Sequence, residues 1–333
     1  MTAICDATKD PAAWTSETIG GKDGLTLHLT ADQLSALDSL VASTQHIAPD
    51  AITRADFDHP VINAMMDEAR AVIMEGRGAI ILSGVDIGPL VLDDFKRIYW
   101  GLGTHLGNGA VQSYRRDRIG HVQKEKDNPT GRGYLMDTEL VSHTDFHELL
   151  SLASVSKPVS GGESGIVSSI ALHNLIQQTR PDLLAVLYEG YYHESAGGAV
   201  SQSKVPVFGC VEGKVSCYFH MPFVFNAAKR RGEDLPADFL EAMRYMSSLA
   251  TRPEVRADFT LEPGEMLFWH NFTALHSRTG FEDSPAATRL LLRLWLNVPD
   301  GRPLPAAFHE RAQYMDRVHE AGEAAIDYAD ART

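Results

Sequence analysis

The chain has 333 residues, 44% hydrophobic and 22% charged, a balance that supports a sizeable globular core. A formal net charge of −14 and a pI near 5.4 argue against nucleic acid and anionic membrane as partners, because phosphate binding needs clustered Lys and Arg. No apolar run is long enough to span a bilayer, no basic-then-apolar leader opens the chain, and Cys5, Cys210 and Cys217 form no recognisable framework, so a reducing, cytoplasmic setting without disulfides is expected.

Residues 1–29 read as polar and irregular. Thr30 and Gln33 then supply a capping box, and Leu34, Leu37, Leu40 and Val41 follow at helical spacing. A second helix is predicted over residues 60–74, with Val61, Ile62, Met65, Met66, Ala69 and Val72 apolar, and Gly76-Arg77-Gly78 stops it. Residues 79–82 form a short, wholly apolar strand. A further helix over residues 92–102 ends at Gly101-Leu102-Gly103. This part of the chain carries no catalytic signal and is expected to buttress a sheet.

Residues 112–134 set six basic side chains (Arg115, Arg116, Arg118, Lys124, Lys126, Arg132) against three acidic ones (Asp117, Glu125, Asp127). Asn128-Pro129-Thr130-Gly131 adds turn chemistry. Such an insert is either a solvated loop or a lid-like cover whose arginines meet an anionic ligand.

Next comes Leu140-Val141-Ser142-His143-Thr144-Asp145-Phe146-His147. Side chains two apart on an extended chain point to one face, so His143 and Asp145 can begin a divalent-metal site. The same spacing suits a His–Asp hydrogen bond at a strand end, and the motif alone leaves both readings open. A third ligand has to come from elsewhere, and His276 is the candidate.

Residues 149–155 read as a mostly apolar strand, and Gly161-Gly162-Glu163-Ser164-Gly165 as a tight turn. Ser168 or Ser169 caps a helix holding Ile170, Leu172, Leu175 and Ile176, and Arg180-Pro181-Asp182 breaks it and starts another through Tyr188. His173 on the first of these reads as a packed side chain. After a Gly/Ser-rich loop at 194–204, residues 205–208 and 215–219 are expected to form a hairpin around Glu212-Gly213. Phe239, Leu240, Met243, Met246 and Leu249 make a core-facing helical stripe.

The C-terminal strands carry the most information. Glu265–Trp269 is a strand, followed by His270-Asn271-Phe272-Thr273-Ala274-Leu275-His276. In the last strand, 289–298, one face is Leu290, Leu292, Leu294, Leu296 and Val298, while the other is Arg289, Leu291, Arg293, Trp295 and Asn297. Arginine is costly to bury unpaired, so two on one face imply a partner that brings carboxylates.

Two imidazoles and a carboxylate with open positions beside them make the facial triad of non-haem iron(II) oxygenases. With His143-Thr144-Asp145, Gly161-Gly162-Glu163-Ser164, Trp269-His270-Asn271 leading into His276-Ser277-Arg278-Thr279-Gly280-Phe281, and Arg289 with Arg293, the chain resembles the taurine dioxygenase/TfdA-like branch of iron(II)/2-oxoglutarate-dependent oxygenases. It shares some likeness with clavaminate synthase, and the likeness spans roughly residues 75–300.

The resemblance implies a double-stranded β-helix (a jelly-roll, cupin-like core of mainly β, α+β class) with flanking helices. It makes His143, Asp145 and His276 the metal ligands, and pairs Arg289 with the distal carboxylate of 2-oxoglutarate, assisted by Ser164. It puts Arg293 near the primary substrate; His147, just past the ligand pair, is a further candidate contact, and the aromatics Phe146, Tyr114 and Trp295 would equally suit an apolar natural product. His270 departs from the pattern, standing where relatives often have Asp. Family halogenases have a small residue at the position of Asp145, so the carboxylate here points to hydroxylation or a related oxidation.

The expected cofactors are Fe(II), 2-oxoglutarate and O2, and the expected reaction oxidises an unactivated C–H of a small organic substrate with release of succinate and CO2. Desaturation or cyclisation by the same cofactors is the alternative. A non-catalytic jelly-roll binding protein and a zinc hydrolase are the readings from other classes; the second leaves Arg289 unexplained. Residues 1–305 are expected to be one oxygenase domain and 306–333 a polar, partly helical tail. The sequence sets no subunit count, and a homo-oligomer is compatible with it.

Overall fold

The computed structural model describes residues 4–322 apart from 114, 127, 129–132 and 196–197. Its strands in chain order are β1 (Thr26–His28), β2 (Ala79–Ser83), β3 (Asn108–Gly109), β4 (Gly120–Val122), β5 (Leu140–His143), β6 (Leu149–Ser156), β7 (Ser160–Gly161), β8 (Ser164–Ser168), β9 (Phe208–Val211), β10 (Lys214–Cys217), β11 (Arg256–Phe259), β12 (Met266–His270), β13 (Ala274–Arg278), β14 (Phe281–Glu282) and β15 (Leu290–Asn297). The larger sheet runs β1-β2-β12-β6-β15-β3, with β4 also on β15, and the smaller runs β11-β8-β13-β5. Within these two sheets, β1–β2 is parallel and the other pairs are antiparallel. Two facing sheets with helices outside are the jelly-roll core that the resemblance implies.

Alternation along the strands decides which layer each side chain joins. Leu292, Leu294 and Leu296 of β15 turn outward with Ile80, Leu82 and Phe268 and bury against the N-terminal helices Ala31–Ser43, Pro60–Met74 and Leu92–Thr104. Each such leucine contributes about 1.5–3 kcal/mol by leaving water. The smaller sheet sends Val167 and Leu275 outward against Ser169–Thr179, Pro181–Glu189 and Ala237–Ala250. Between the sheets lie Ile166, Ala257, Phe259 and Ala274 on one side and Ile81, Leu150, Leu267, Trp269 and Trp295 on the other. That inner layer surrounds the candidate site.

The capping box at Thr30/Gln33 and the Ser168 cap are present. The hairpin around Glu212-Gly213 is present as β9–β10, with its strands reaching closer to the turn and stopping earlier at the open end than expected.

Three expectations need correction. Residues 26–28, read as irregular, form β1, because the buried apolar strand β2 offers a free edge. The segment from 306, expected as a polar, partly helical tail, is helical over Ala306–Ala321, but its Phe308, Arg311, Met315 and His319 are buried, Phe308 and Met315 in the inner layer; its apolar stripe was hidden by its many charged neighbours. Cys5 and Cys210 are joined as a disulfide across a Cα–Cα distance of 5.9 Å, which removes the cysteine-based ground for a reducing compartment. No helix of the described residues is long and apolar enough to cross a membrane.

Candidate active site

Register brings the first two histidines together. His276 of β13 pairs directly with His143 at the end of β5, and their ring centroids lie 4.2 Å apart. Cross-strand partners on one face are nearest neighbours, so distance along the chain is irrelevant. Asp145 lies just past β5. Its backbone is held on both sides by Asn271: the amide oxygen accepts from Asp145 N (3.1 Å), and the amide nitrogen donates to Asp145 O (3.0 Å) and His147 O (2.9 Å). One ligand-type atom from each of His143, Asp145 and His276 lies within 4.8 Å of the others.

The donor set fits a divalent metal in its details. His143 Nδ1 donates to the Val141 carbonyl (2.7 Å), which leaves the Nε2 lone pair facing Asp145 Oδ1 at 4.0 Å. Asp145 Oδ2 accepts from Trp295 Nε1 (3.1 Å), and Oδ1 is the oxygen that lies 4.0 Å from His143 Nε2. Burial, then the neighbouring His143, pushes the His276 imidazole down to about 3, which keeps it neutral as a ligand must be.

The cluster opens on a cavity of about 470 Å³. Arg289 and Ser164 both line it. Arg289 is 4% exposed, and its Nη1 has no hydrogen-bond partner. Burial and the nearby Arg278 both work against its charge and pull it down to about 9, while Asp283 opposes them. The turn in front is shaped for it: Gly162 has φ +77°, and a Cβ there would stand 2.9 Å from Arg289 Nε. Thr279 ties that turn to the strand end by bonding Glu163 from both its backbone and its hydroxyl. A buried guanidinium with an unfilled donor is what a carboxylate guest requires.

Arg293 stands at a different part of the same cavity. Its Nε donates to Gln112 Oε1 (2.7 Å), one Nη lies 3.9 Å from Asp145, and its guanidinium sits 4.5 Å from the Tyr134 ring and 4.4 Å from Trp295. Phe146 lines the cavity against Phe223 and Trp295.

His147 is the misplaced candidate. It is wholly buried and absent from the cavity wall, with Nε2 donating to Asp316 (2.8 Å) and its ring stacked on Trp295. The chain turns sharply after Asp145, which ends the period-2 alternation that would have aimed it inward. The arginines of the insert also stay outside: Arg115, Arg116 and Arg118 are exposed, and Arg115 forms a two-pronged pair with Glu125. Among the described residues of that region, Val122, Gly133 and Tyr134 line the cavity. Tyr114, Asp127, Arg132 and most of the turn expected at 128–131 lie outside the described residues. His270 bonds Glu148 (3.1 Å), whose carboxylate also accepts from the Arg302 backbone, and this bracing holds the turn before His276.

The sequence reading gave no role to Arg278, which lines the cavity and donates to the carbonyls of Met136 and Thr138. Its spacing of two from His276 on a strand was the available signal. His220, Phe223, Asn226 and Glu194 form a further wall, with Glu194 held by Asn226 (2.6 Å) and Arg230 (2.5 Å). Nothing in their spacing announced them.

The sequence model of the taurine catabolism dioxygenase TauD, TfdA family matches residues 41–295. FR-33289 synthase of Streptomyces rubellomurinus is 28% identical over 245 residues, covering 70% of this chain and 72% of that protein. The taurine hydroxylase-like protein SAT17 of Stachybotrys chartarum is 24% identical over 303 residues, covering 86% and 78%. Among solved structures, an asparagine oxygenase in complex with Fe(II), hydroxyasparagine and succinate shares the fold with a TM-score of 0.66 at 13% identity, over 82% of this chain and 93% of that one. The non-haem iron oxygenase OrfP with Fe and α-ketoglutaric acid does so with a TM-score of 0.58 at 14% identity, over 82% and 94%. The chain therefore belongs to the TauD/TfdA dioxygenase family, and is an oxidoreductase that works with non-haem iron and 2-oxoglutarate.

Proposed function

We propose that His143, Asp145 and His276 hold the iron, that Arg289 and Ser164 receive the distal carboxylate of 2-oxoglutarate, and that the substrate is a small organic anion hydroxylated at an unactivated C–H. The observation that carries this reading is the buried, donor-unfilled Arg289 in the same cavity as the His–Asp–His cluster. A storage or binding jelly roll has no need of both.

When bound, the iron and 2-oxoglutarate supply the oxidising chemistry, with O2 as oxidant and succinate and CO2 released. The chain's own part is placement. Arg289 and Ser164 fix one end of the co-substrate. Trp269, Leu150 and Leu152 line the cavity with apolar surface and exclude water near the reacting centre. Arg293, held in orientation by Gln112, Tyr134 and Trp295, is the group for the acid of the substrate. Among the described residues the cavity wall sets three guanidiniums, Arg278, Arg289 and Arg293, against the carboxylates of Glu139, Asp145 and Glu194, so the preference for an anionic substrate rests on Arg293 and not on net charge. The cavity of about 470 Å³ also has to accommodate 2-oxoglutarate, so the substrate is of metabolite size.

The test is a panel of small carboxylates, phosphonates, sulfonates and amino acids, offered with Fe(II), 2-oxoglutarate and O2. A true substrate stimulates succinate release and gains one oxygen atom by mass. His143→Ala and Asp145→Ala each abolish the stimulated release; turnover that survives both changes overturns the reading.

A further inference from the structure

We propose that the C-terminal helix Ala306–Ala321 is a working part of the metal centre, because it clamps the indole that orients Asp145. The inference rests on Asp145 being a metal ligand. A carboxylate turns easily about its last torsion, and something must select which oxygen faces the ion. Trp295 Nε1 does so by donating to Asp145 Oδ2 (3.1 Å), leaving Oδ1 towards His143.

The indole is itself held. The His147 ring lies nearly parallel to it, 5.0 Å away at 23°, and His319 lies 6.0 Å away at 26°. Both imidazoles are buried, and both are tied down. His147 donates to Asp316 Oδ1 (2.8 Å), and His319 Nδ1 donates to the Val111 carbonyl (3.1 Å). The other oxygen of Asp316 accepts from Asn297 (3.2 Å), two residues past Trp295 on the same strand. Asp316 and His319 are both on the C-terminal helix, beyond residues 41–295 that the family model matches. The helix thus reaches the metal ligand in three steps: Asp316 to His147, His147 to Trp295, and Trp295 to Asp145. Trp295, His147 and Asp316 are positioning residues in this scheme, and none of them needs to meet substrate.

The experiment titrates Mn(II) into the metal-free full-length protein and reads bound metal from the loss of the free-ion paramagnetic resonance signal, with no turnover involved. Partners behind a ligand are worth roughly 10–100-fold in metal affinity. Trp295→Phe keeps the ring and loses the N–H, so Mn(II) binding is expected to weaken about tenfold with little change in unfolding temperature. Asp316→Ala is expected to weaken binding in the same direction, and Asp316→Asn, which keeps an oxygen for His147, to restore most of it. The double variant Trp295→Phe/Asp316→Ala is expected to bind no worse than Trp295→Phe alone, since both act through one N–H. Unchanged affinity in Trp295→Phe, or full addition in the double variant, overturns the clamp. Asp145→Ala separates the two ideas: if it still binds Mn(II) as well as the parent, the metal-site reading itself fails.

Discussion

Two places in the cavity are built around arginines, Arg289 just before β15 and Arg293 within it, and they are finished differently. Arg289 is buried beside a turn that leaves space for it, with Nη1 unbonded and another guanidinium nearby. Arg293 is equally buried but bonded to Gln112, close to Asp145, and flanked by Tyr134 and Trp295. The first is arranged for a partner that comes and goes with each turnover. The second is fixed in direction before any guest arrives. A site can therefore hold one cation at a cost in stability so that a diffusing anion relieves it, and brace another so that it selects among anions.

The sharpest way to break this contrast is Arg289→Ala. Losing a charge-assisted contact of about 1.5–3 kcal/mol is expected to raise the 2-oxoglutarate requirement about 10–100-fold, read from co-substrate dependence of succinate release. An unchanged requirement removes the assignment.

A second comparison needs no turnover. Arg289→Met removes an under-bonded buried charge and is expected to leave the cofactor-free protein as stable or more so. Arg293→Met leaves the buried Gln112 amide oxygen without its donor and is expected to destabilise by about 1–3 kcal/mol. Denaturant unfolding of both variants reads the difference, and equal losses contradict the distinction drawn between the two.

The smallest effect sharpens the braced side alone. Tyr134→Ala removes one ring from Arg293, a contact of about 0.5–2 kcal/mol, and is expected to raise KM for the anionic substrate by about 2- to 30-fold while 2-oxoglutarate dependence holds. If both dependences shift together, Tyr134 acts on the whole cavity and not on Arg293.

Much of this was legible in the chain. Period-2 reading of 289–298 separated an apolar face from one carrying Arg289, Arg293 and Trp295, and those faces do divide between the helical layer and the cavity. Family likeness pointed to His276 as the third member of the cluster, and register is what brings it to His143. His147 stands just past the ligand pair in sequence, but the strand ends at His143 and the imidazole beyond it turns to Asp316 and Trp295. Helix was expected from 306, but its burial was not legible, because four buried side chains among many charged ones look like a surface segment. Cys5 and Cys210, far apart in sequence, carried no spacing signal for the bond that joins them.

By itself the sequence determined the local elements, the strand faces, and the chemical types gathered for the site, because helix caps, side-chain periodicity and the cost of burying charge are all properties of neighbours along the chain. Only the tertiary structure decided which arginine would be left waiting and which would be braced, and that a helix from the end of the chain would stand behind the metal-binding carboxylate. Those outcomes depend on contacts such as Gln112 with Arg293 and Asp316 with His147, which form only once the sheets have closed and brought distant segments within hydrogen-bonding reach.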